Sequence, residues 1–156
     1  MLAILAFALL TLTGLPQGKV MDDAGARARE AVATAEKEHG PDHLETAKAL
    51  KQLGAVLYVA GRASEAKGPI LRAITIFTKL EANDHLPSAL LHSGAIHQQL
   101  GDLDAARTAF EQSLAAAERT LPAGQSAVAA AVNSLGVLDL TLGQFASARK
   151  NFERAL

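Results

Sequence analysis

Three stretches of the sequence repeat one another without gaps, and this repetition constrains the fold more than any other feature. They begin at Leu50, Leu90 and Val132 and read LKQLGAVLYVAGRASEAKGPILRAI, LLHSGAIHQQLGDLDAARTAFEQSL and VNSLGVLDLTLGQFASARKNFERAL. Corresponding residues are 40 and then 42 positions apart throughout. Self-similarity at a spacing of this length indicates a protein built by stacking one supersecondary unit on the next.

Four positions are shared by all three copies: two glycines, one alanine and one large apolar residue. They are Gly54, Gly94 and Gly136; Gly61, Gly101 and Gly143; Ala66, Ala106 and Ala148; and Ile70, Phe110 and Phe152. The second glycine divides each copy into two segments with apolar residues at helical spacing. Each copy is therefore predicted to form a helical hairpin, with that glycine just past the end of the first helix.

The first glycine of each copy lies inside a predicted helix, where glycine costs about 1 kcal/mol relative to alanine. We expect a close approach of the paired helix at this point, because only a residue without Cβ permits it. The three shared alanines are predicted to supply the small surface on the opposite side of the contact.

Composition supports an all-α fold of one domain. Of the 156 residues, 49% are apolar, 20% are charged and only 4% are aromatic, so helix formers dominate and strand formers are scarce. A net charge of -1 gives no electrostatic footprint for a polyanion, and nucleic acid is not expected as a partner. The absence of cysteine excludes disulfides, thiolate metal sites and thiol nucleophiles.

The hairpin pattern of an early small residue, a turn glycine, an alanine and an aromatic resembles the tetratricopeptide repeat. The longer period, with GPDHLETAKALKQLG from Gly40 between units, is similar to the variant in kinesin light chains and many bacterial proteins. The resemblance implies a right-handed α-solenoid of antiparallel helix-turn-helix hairpins over residues 20–156. It places a half repeat at 22–40 and repeats at about 44–80, 86–120 and 126–156.

The half repeat follows from stepping back 42 residues, which takes Ala66 to Ala24 and Ala73 to Ala31. It corresponds to a second helix whose own first helix is missing, degenerate or supplied by the apolar residues before it.

Those preceding residues, MLAILAFALLTLTGL, carry no charged side chain and are too few to span a bilayer. We interpret residues 1–18 as a signal peptide or hydrophobic N-terminal helix. Export to a periplasmic or extracellular location, or anchoring by this segment, is the preferred interpretation. The alternative is a cytoplasmic protein in which residues 2–13 form a buried first helix.

The resemblance also implies a concave groove, lined by the first helix of each hairpin, that binds a peptide. Asparagines that hold a peptide backbone in relatives are matched only by Asn133, with Gln52 as an amide substitute, and Tyr58 is the one aromatic anchor. The alternative is a merely solvated helix face. The candidate groove residues are Lys51, Gln52, Tyr58, Leu91, His92, Gln98, Asn133, Ser134 and Thr141.

No catalytic, cofactor or metal site is predicted. His92 and His97 are five residues apart and do not share a helix face as metal ligands four apart would. The pairs Asp42-His43 and Asp84-His85 recur once per linker, and we expect them to cap helices and to be solvated.

One position breaks the apolar pattern that faces the paired helix. Leu57 in the first copy is replaced by His97 in the second and by Asp139 in the third. Partial exposure in a shallow solenoid is the expected explanation, and divergence toward a specific contact is the alternative.

The predicted function is a non-catalytic scaffold that binds a protein or peptide segment. Two alternatives stay open: self-association through terminal hairpins, the C-terminal one above all, and a regulatory fragment of a larger enzyme or signalling protein.

Overall fold

The computed structural model describes residues 17–120 and 124–155, which form seven α-helices and no strand. The helices are α1 (Gln17–His39), α2 (Leu44–Val59), α3 (Ala63–Lys79), α4 (Leu86–Gln99), α5 (Leu103–Arg119), α6 (Gln125–Thr141) and α7 (Phe145–Ala155). The predicted all-α solenoid of antiparallel hairpins is confirmed, with pairs α2–α3, α4–α5 and α6–α7 stacked after α1. The apolar leader lies outside the described residues, as do residues 121–123.

The three hairpin turns are built in the same way. Gly61, Gly101 and Gly143 have φ of 75°, 81° and 71°, which is the left-handed region that favours glycine. In each turn the residue after the glycine donates its amide to a carbonyl five residues earlier, at Leu57, His97 or Asp139, over 2.8 to 2.9 Å. This bond satisfies a carbonyl that the end of the first helix leaves free, so the glycine reverses the chain without a buried unpaired group.

The glycines inside the first helices lie where the second helix comes closest. A Cβ at Gly94 would lie 2.4 Å from the ring of Phe110, and one at Gly136 would lie 2.8 Å from the ring of Phe152. At Gly54 the distance to Ile70 Cβ is 3.2 Å. The predicted opposite surface needs correction: the atoms facing the glycine belong chiefly to these larger side chains, because a missing Cβ leaves room for a ring.

The alanines predicted to face the glycines are nevertheless core residues. Ala66 and Ala106 are fully buried, and Ala148 is 1% exposed. Their small side chains let paired helices approach, while the residue one turn later fills the space over the glycine.

Linker side chains begin the helices in two different ways. His43 Nδ1 accepts a hydrogen bond from Glu45 N at 3.2 Å, which caps α2, and Asp42 forms an ion pair of 2.7 Å with Lys79. The expected cap by His85 is absent among the described contacts. Its ring instead stacks on Phe77, with centroids 5.3 Å apart.

Two clusters of buried side chains form the core. The larger joins α1 to α4 around Leu57, Ile70, Phe77 and Ile96, and the smaller joins α5 and α6 around Phe110 and Leu138. None of the seven helices just given is both long and apolar enough to cross a membrane.

Candidate functional site

The first helices of the three hairpins line one side of the stack. Successive first helices contact each other directly, α2 with α4 and α4 with α6. On the other side the second helices are connected by long side chains, through Glu36 and Arg72 between α1 and α3 and through Glu118 and Arg154 between α5 and α7. The closer spacing of the first helices makes their side concave, as in other superhelical repeat proteins.

The most accessible part of this concave surface is on α6. Asn133, Val137, Leu140 and Thr141 are all exposed there, at positions that share one helix face. Val137 is 42% exposed and Leu140 is 47% exposed. The face therefore offers apolar contact area beside an amide that can both donate and accept hydrogen bonds.

The middle of the surface, between α2 and α4, carries positive and neutral nitrogen groups. Lys51 Nζ donates to Ser88 Oγ at 3.1 Å, and that hydroxyl donates to the carbonyl of His85 at 3.0 Å. His92 Nδ1 donates to the Ser88 carbonyl at 2.8 Å. These bonds connect α2 with the beginning of α4 and hold Lys51 and His92 beside each other.

Burial and like charge disfavour protonation in this region. Desolvation lowers the pKa of His92 and of His85, and the nearby Lys51 ammonium lowers both further. The pKa of Lys51 is itself lowered, first by burial and then by Lys48. Both histidines are therefore held toward the neutral state.

Two predicted groove residues contribute to the core. Tyr58 is half-buried and packs against the larger cluster, so its ring is only partly available as an anchor. Leu91 packs against the smaller cluster that includes Phe110 and Leu135. Leu91 therefore occupies the space between neighbouring hairpins.

The remaining predicted groove residues differ in what they offer a ligand. Ser134 and Thr141 donate their hydroxyls to carbonyls of α6, at Ala130 and Val137, over 2.9 and 3.0 Å. Gln52 is exposed and Gln98 is half-buried. The amides of Gln52 and Asn133 lie two hairpins apart, which leaves the first helices without a regular amide ladder.

Asp139, Arg107 and Asn151 form a polar cluster that the sequence did not predict. Asp139 is 1% exposed, so the predicted partial exposure is wrong for this residue. Arg107 Nη2 donates to Asp139 Oδ1 at 2.6 Å, and Asn151 Nδ2 donates to Oδ2 at 2.8 Å. Both oxygens thus have a partner from a neighbouring helix, which compensates the burial of the carboxylate.

The corresponding residue of the second hairpin, His97, has 12% side-chain exposure. Its Nδ1 lies 3.3 Å from Asp102 Oδ2, without the alignment of a hydrogen bond. Asp102 Oδ1 caps α5 by accepting from Ala105 N at 3.3 Å. In the second hairpin the acidic residue, Asp102, is in the turn, whereas in the third hairpin the acidic residue, Asp139, is on the first helix.

The described ranges, 17–120 and 124–155, contain no group of three or more His, Asp or Glu side chains placed to hold a metal ion. His39 and His43 stack at 4.9 Å beside the first linker, well away from His92 and His97 on α4.

Comparison with known proteins gives a family and a structural likeness. The tetratricopeptide repeat family model matches residues 17–79 and 85–156. The crystal structure of BtubC (BKLC) from P. vanneervenii, a kinesin light chain-like repeat protein, is similar with a TM-score of 0.78 and 18% identity. The match covers 88% of this chain and 56% of BtubC, so this chain spans little more than half of that protein. A search of curated proteins found no significant match.

Proposed function

Because this chain belongs to the tetratricopeptide repeat family, we propose that it is a non-catalytic scaffold that binds a peptide or protein segment on its concave surface. Repeats of this family generally mediate protein–protein interaction. The observation that carries the proposal is the exposed stripe of Asn133, Val137 and Leu140 on α6. Apolar side chains that stay in water on the inner side of a curved stack are available to a ligand.

The chemistry of the surface indicates an extended segment with apolar side chains and a free backbone. Val137 and Leu140 provide the apolar contact, and the amide of Asn133 can pair with a peptide group of the ligand. Lys51 and His92 are already engaged with Ser88, so they add little direct binding. Affinity should be modest, because the described first helices present no cluster of exposed aromatic side chains and arginines.

The test is selection of binding peptides from a displayed random library, followed by fluorescence polarisation with the enriched peptides. Val137→Asp and Leu140→Asp should each weaken binding by at least about tenfold, since a charge would replace buried apolar contact. Leu71→Asp is the matched control, because Leu71 is 41% exposed but lies on a second helix. Equal losses for all three variants would contradict recognition by the concave surface.

A second candidate function, self-association through the last hairpin, is favoured by Phe145. This residue begins α7 and is 71% exposed, which is unusual for so large an apolar side chain. Light scattering during gel filtration over a hundredfold concentration range should show a rising mass, and Phe145→Ser should abolish the rise. A constant monomer mass in the unchanged protein would rule this function out.

A further inference from the structure

An apolar groove runs between α1 and α2 at the first end of the stack, away from α6 and its exposed stripe. Its volume is about 280 Å³, and its lining holds no charged side chain. The lining residues are Met21, Ala24, Gln52, Ala55, Val56 and Val59. Val59 at the end of α2 is 68% exposed, so much of this surface is open in the described structure.

A second depression lies between the same two helices, farther along α1. Its apolar lining comes from Ala31 and Ala35 of α1 and Ala49 of α2, and its other lining residues are polar or charged, such as Glu38 and Lys48. We refer to the two depressions together as the trough, the first uncharged and the second with charged side chains in its lining.

The sequence register identifies what such a trough holds elsewhere in the molecule. The inner stripe of α1 corresponds, 42 residues later, to a stripe of α3 that is buried against its paired first helix α2. The α1 residues are Met21, Ala24, Ala28, Ala31 and Ala35, and their α3 counterparts are Ala63, Ala66, Ile70, Ala73 and Phe77. All five α3 residues are buried, whereas the five α1 residues are half-buried or exposed. The stripe of α1 that would contact a first helix is therefore present but is not fully covered in the described structure.

We infer that this trough is the docking site of the chain's own apolar leader, residues 2–13, which takes the place of the first helix of the half repeat. The leader has the required length: twelve residues as a helix measure about 18 Å, against about 21 Å for the fourteen-residue α4. Three residues, 14–16, separate it from α1, and three residues, 60–62, separate α2 from α3.

Charge and connectivity favour the leader over a second copy of the chain. The leader has no charged side chain, which matches the uncharged lining around Val56 and Val59. Its last residue is joined to α1 through residues 14–16, at the end of α1 where Met21 and Val59 lie, so closing this short connection costs little entropy compared with binding a separate chain. Among the described helices of a second copy only α1 lacks a hairpin partner, and its many charged side chains match an uncharged lining less well than the leader does.

Thiol accessibility in the full-length chain tests this inference, because the chain has no cysteine of its own. The variants are Val59→Cys in the groove and Val137→Cys on α6 as the matched control. In the described residues position 59 is the more exposed of the two, 68% against 42%. Docking should nevertheless make the thiol at position 59 react at least about tenfold more slowly with a thiol reagent than the thiol at position 137.

A second change separates the leader from other covers. Phe7→Asp, added to each cysteine variant, should bring the rate at position 59 up to that of the control and leave position 137 unchanged, because a carboxylate cannot be buried in an uncharged groove. An equal or faster rate at position 59 without Phe7→Asp would overturn the inference. So would protection that weakens on dilution, which would identify a second copy, or a purified mass that lacks the leader.

Discussion

The first and third hairpins have the same backbone and different chemistry at one position. In each, the first helix ends at a glycine with positive φ, and the next residue donates to the carbonyl of Leu57 or Asp139. The side chains at these two residues are buried to the same extent, 2% and 1% exposed. A fully apolar contact and a charged one therefore occupy equivalent places in one fold.

The preceding second helix explains how both are possible. Arg107 on α5 reaches Asp139, and the equivalent place on α1, two repeat steps earlier, is Gly25. A Cβ added at Gly25 would lie 4.0 Å from Leu57 Cδ2, so the glycine faces the leucine as the arginine faces the aspartate. Between the first and second hairpins the corresponding residues are Lys67 on α3 and His97 on α4. The two positions therefore form a unit across neighbouring hairpins.

The largest effect on stability is expected when the acid of the third hairpin is placed in the first. Leu57→Asp should lower the free energy of unfolding by about 3 to 5 kcal/mol, because the carboxylate would be buried without a dedicated partner. The guanidinium groups of Arg29 and Arg62, which lie near Gly25, are both already bound to Glu65, at distances of 2.7 to 3.0 Å. Denaturant unfolding measures the loss, and Leu71→Asp on an exposed site is the control.

The double variant Gly25→Arg with Leu57→Asp sharpens the same test. It rebuilds the pair of the third hairpin in the first, and it should recover part of the stability lost in the single variant. A double-mutant cycle without coupling would show that the two positions do not act together.

Asp139→Ala should have the next largest effect, about 2 to 3 kcal/mol of destabilisation, since Arg107 and Asn151 would each lose a partner. The loss falls short of that for a fully buried pair because Arg107 retains 31% side-chain exposure and can reach water. Thermal and denaturant unfolding give the value. If Asp139→Leu raised the free energy of unfolding, the ion pair would contribute less to stability than apolar packing at the same position.

Gly94 and Gly54 differ in how much space a side chain would have between the two helices of the hairpin. Gly94→Ala should destabilise by about 1 to 2 kcal/mol, because overpacking against Phe110 exceeds the gain in helix propensity. Gly54→Ala should be close to neutral, since its Cβ would lie 3.2 Å from Ile70 Cβ and needs only a small adjustment. Equal losses in both variants, measured by denaturant unfolding, would show that helix–helix approach is the same in the two hairpins.

The smallest expected effect is a pH dependence of stability that comes from His92 in the second hairpin. The folded-state pKa of His92 lies below 6.5, so the unfolded chain binds the proton more readily. Stability is complete above pH 6.5 and falls as the pH drops through 6.5 toward the folded-state value. His92→Gln, which copies Gln52 of the first hairpin, should flatten the curve of unfolding free energy between pH 8 and pH 5. His85 leaves a residual slope.

Much of the fold follows from the sequence, because the residue types that repeat strongly restrict the backbone conformation or the packing at their positions. A glycine seven residues after another, then an alanine and an aromatic, fixes where a helix ends and which face is buried. The hairpins and the all-α class could be predicted on that basis. The candidate site was less predictable: whether Leu91 or Tyr58 faces a ligand or the core depends on how far each hairpin rotates against the next.

The burial of Asp139 became possible because Arg107, 32 residues away, lies within 2.6 Å of it, and the repeat register alone does not predict a distance between neighbouring hairpins. The packing of α4 against α5 also placed the ring of Phe110 over Gly94, where the sequence indicates only that two helices approach closely.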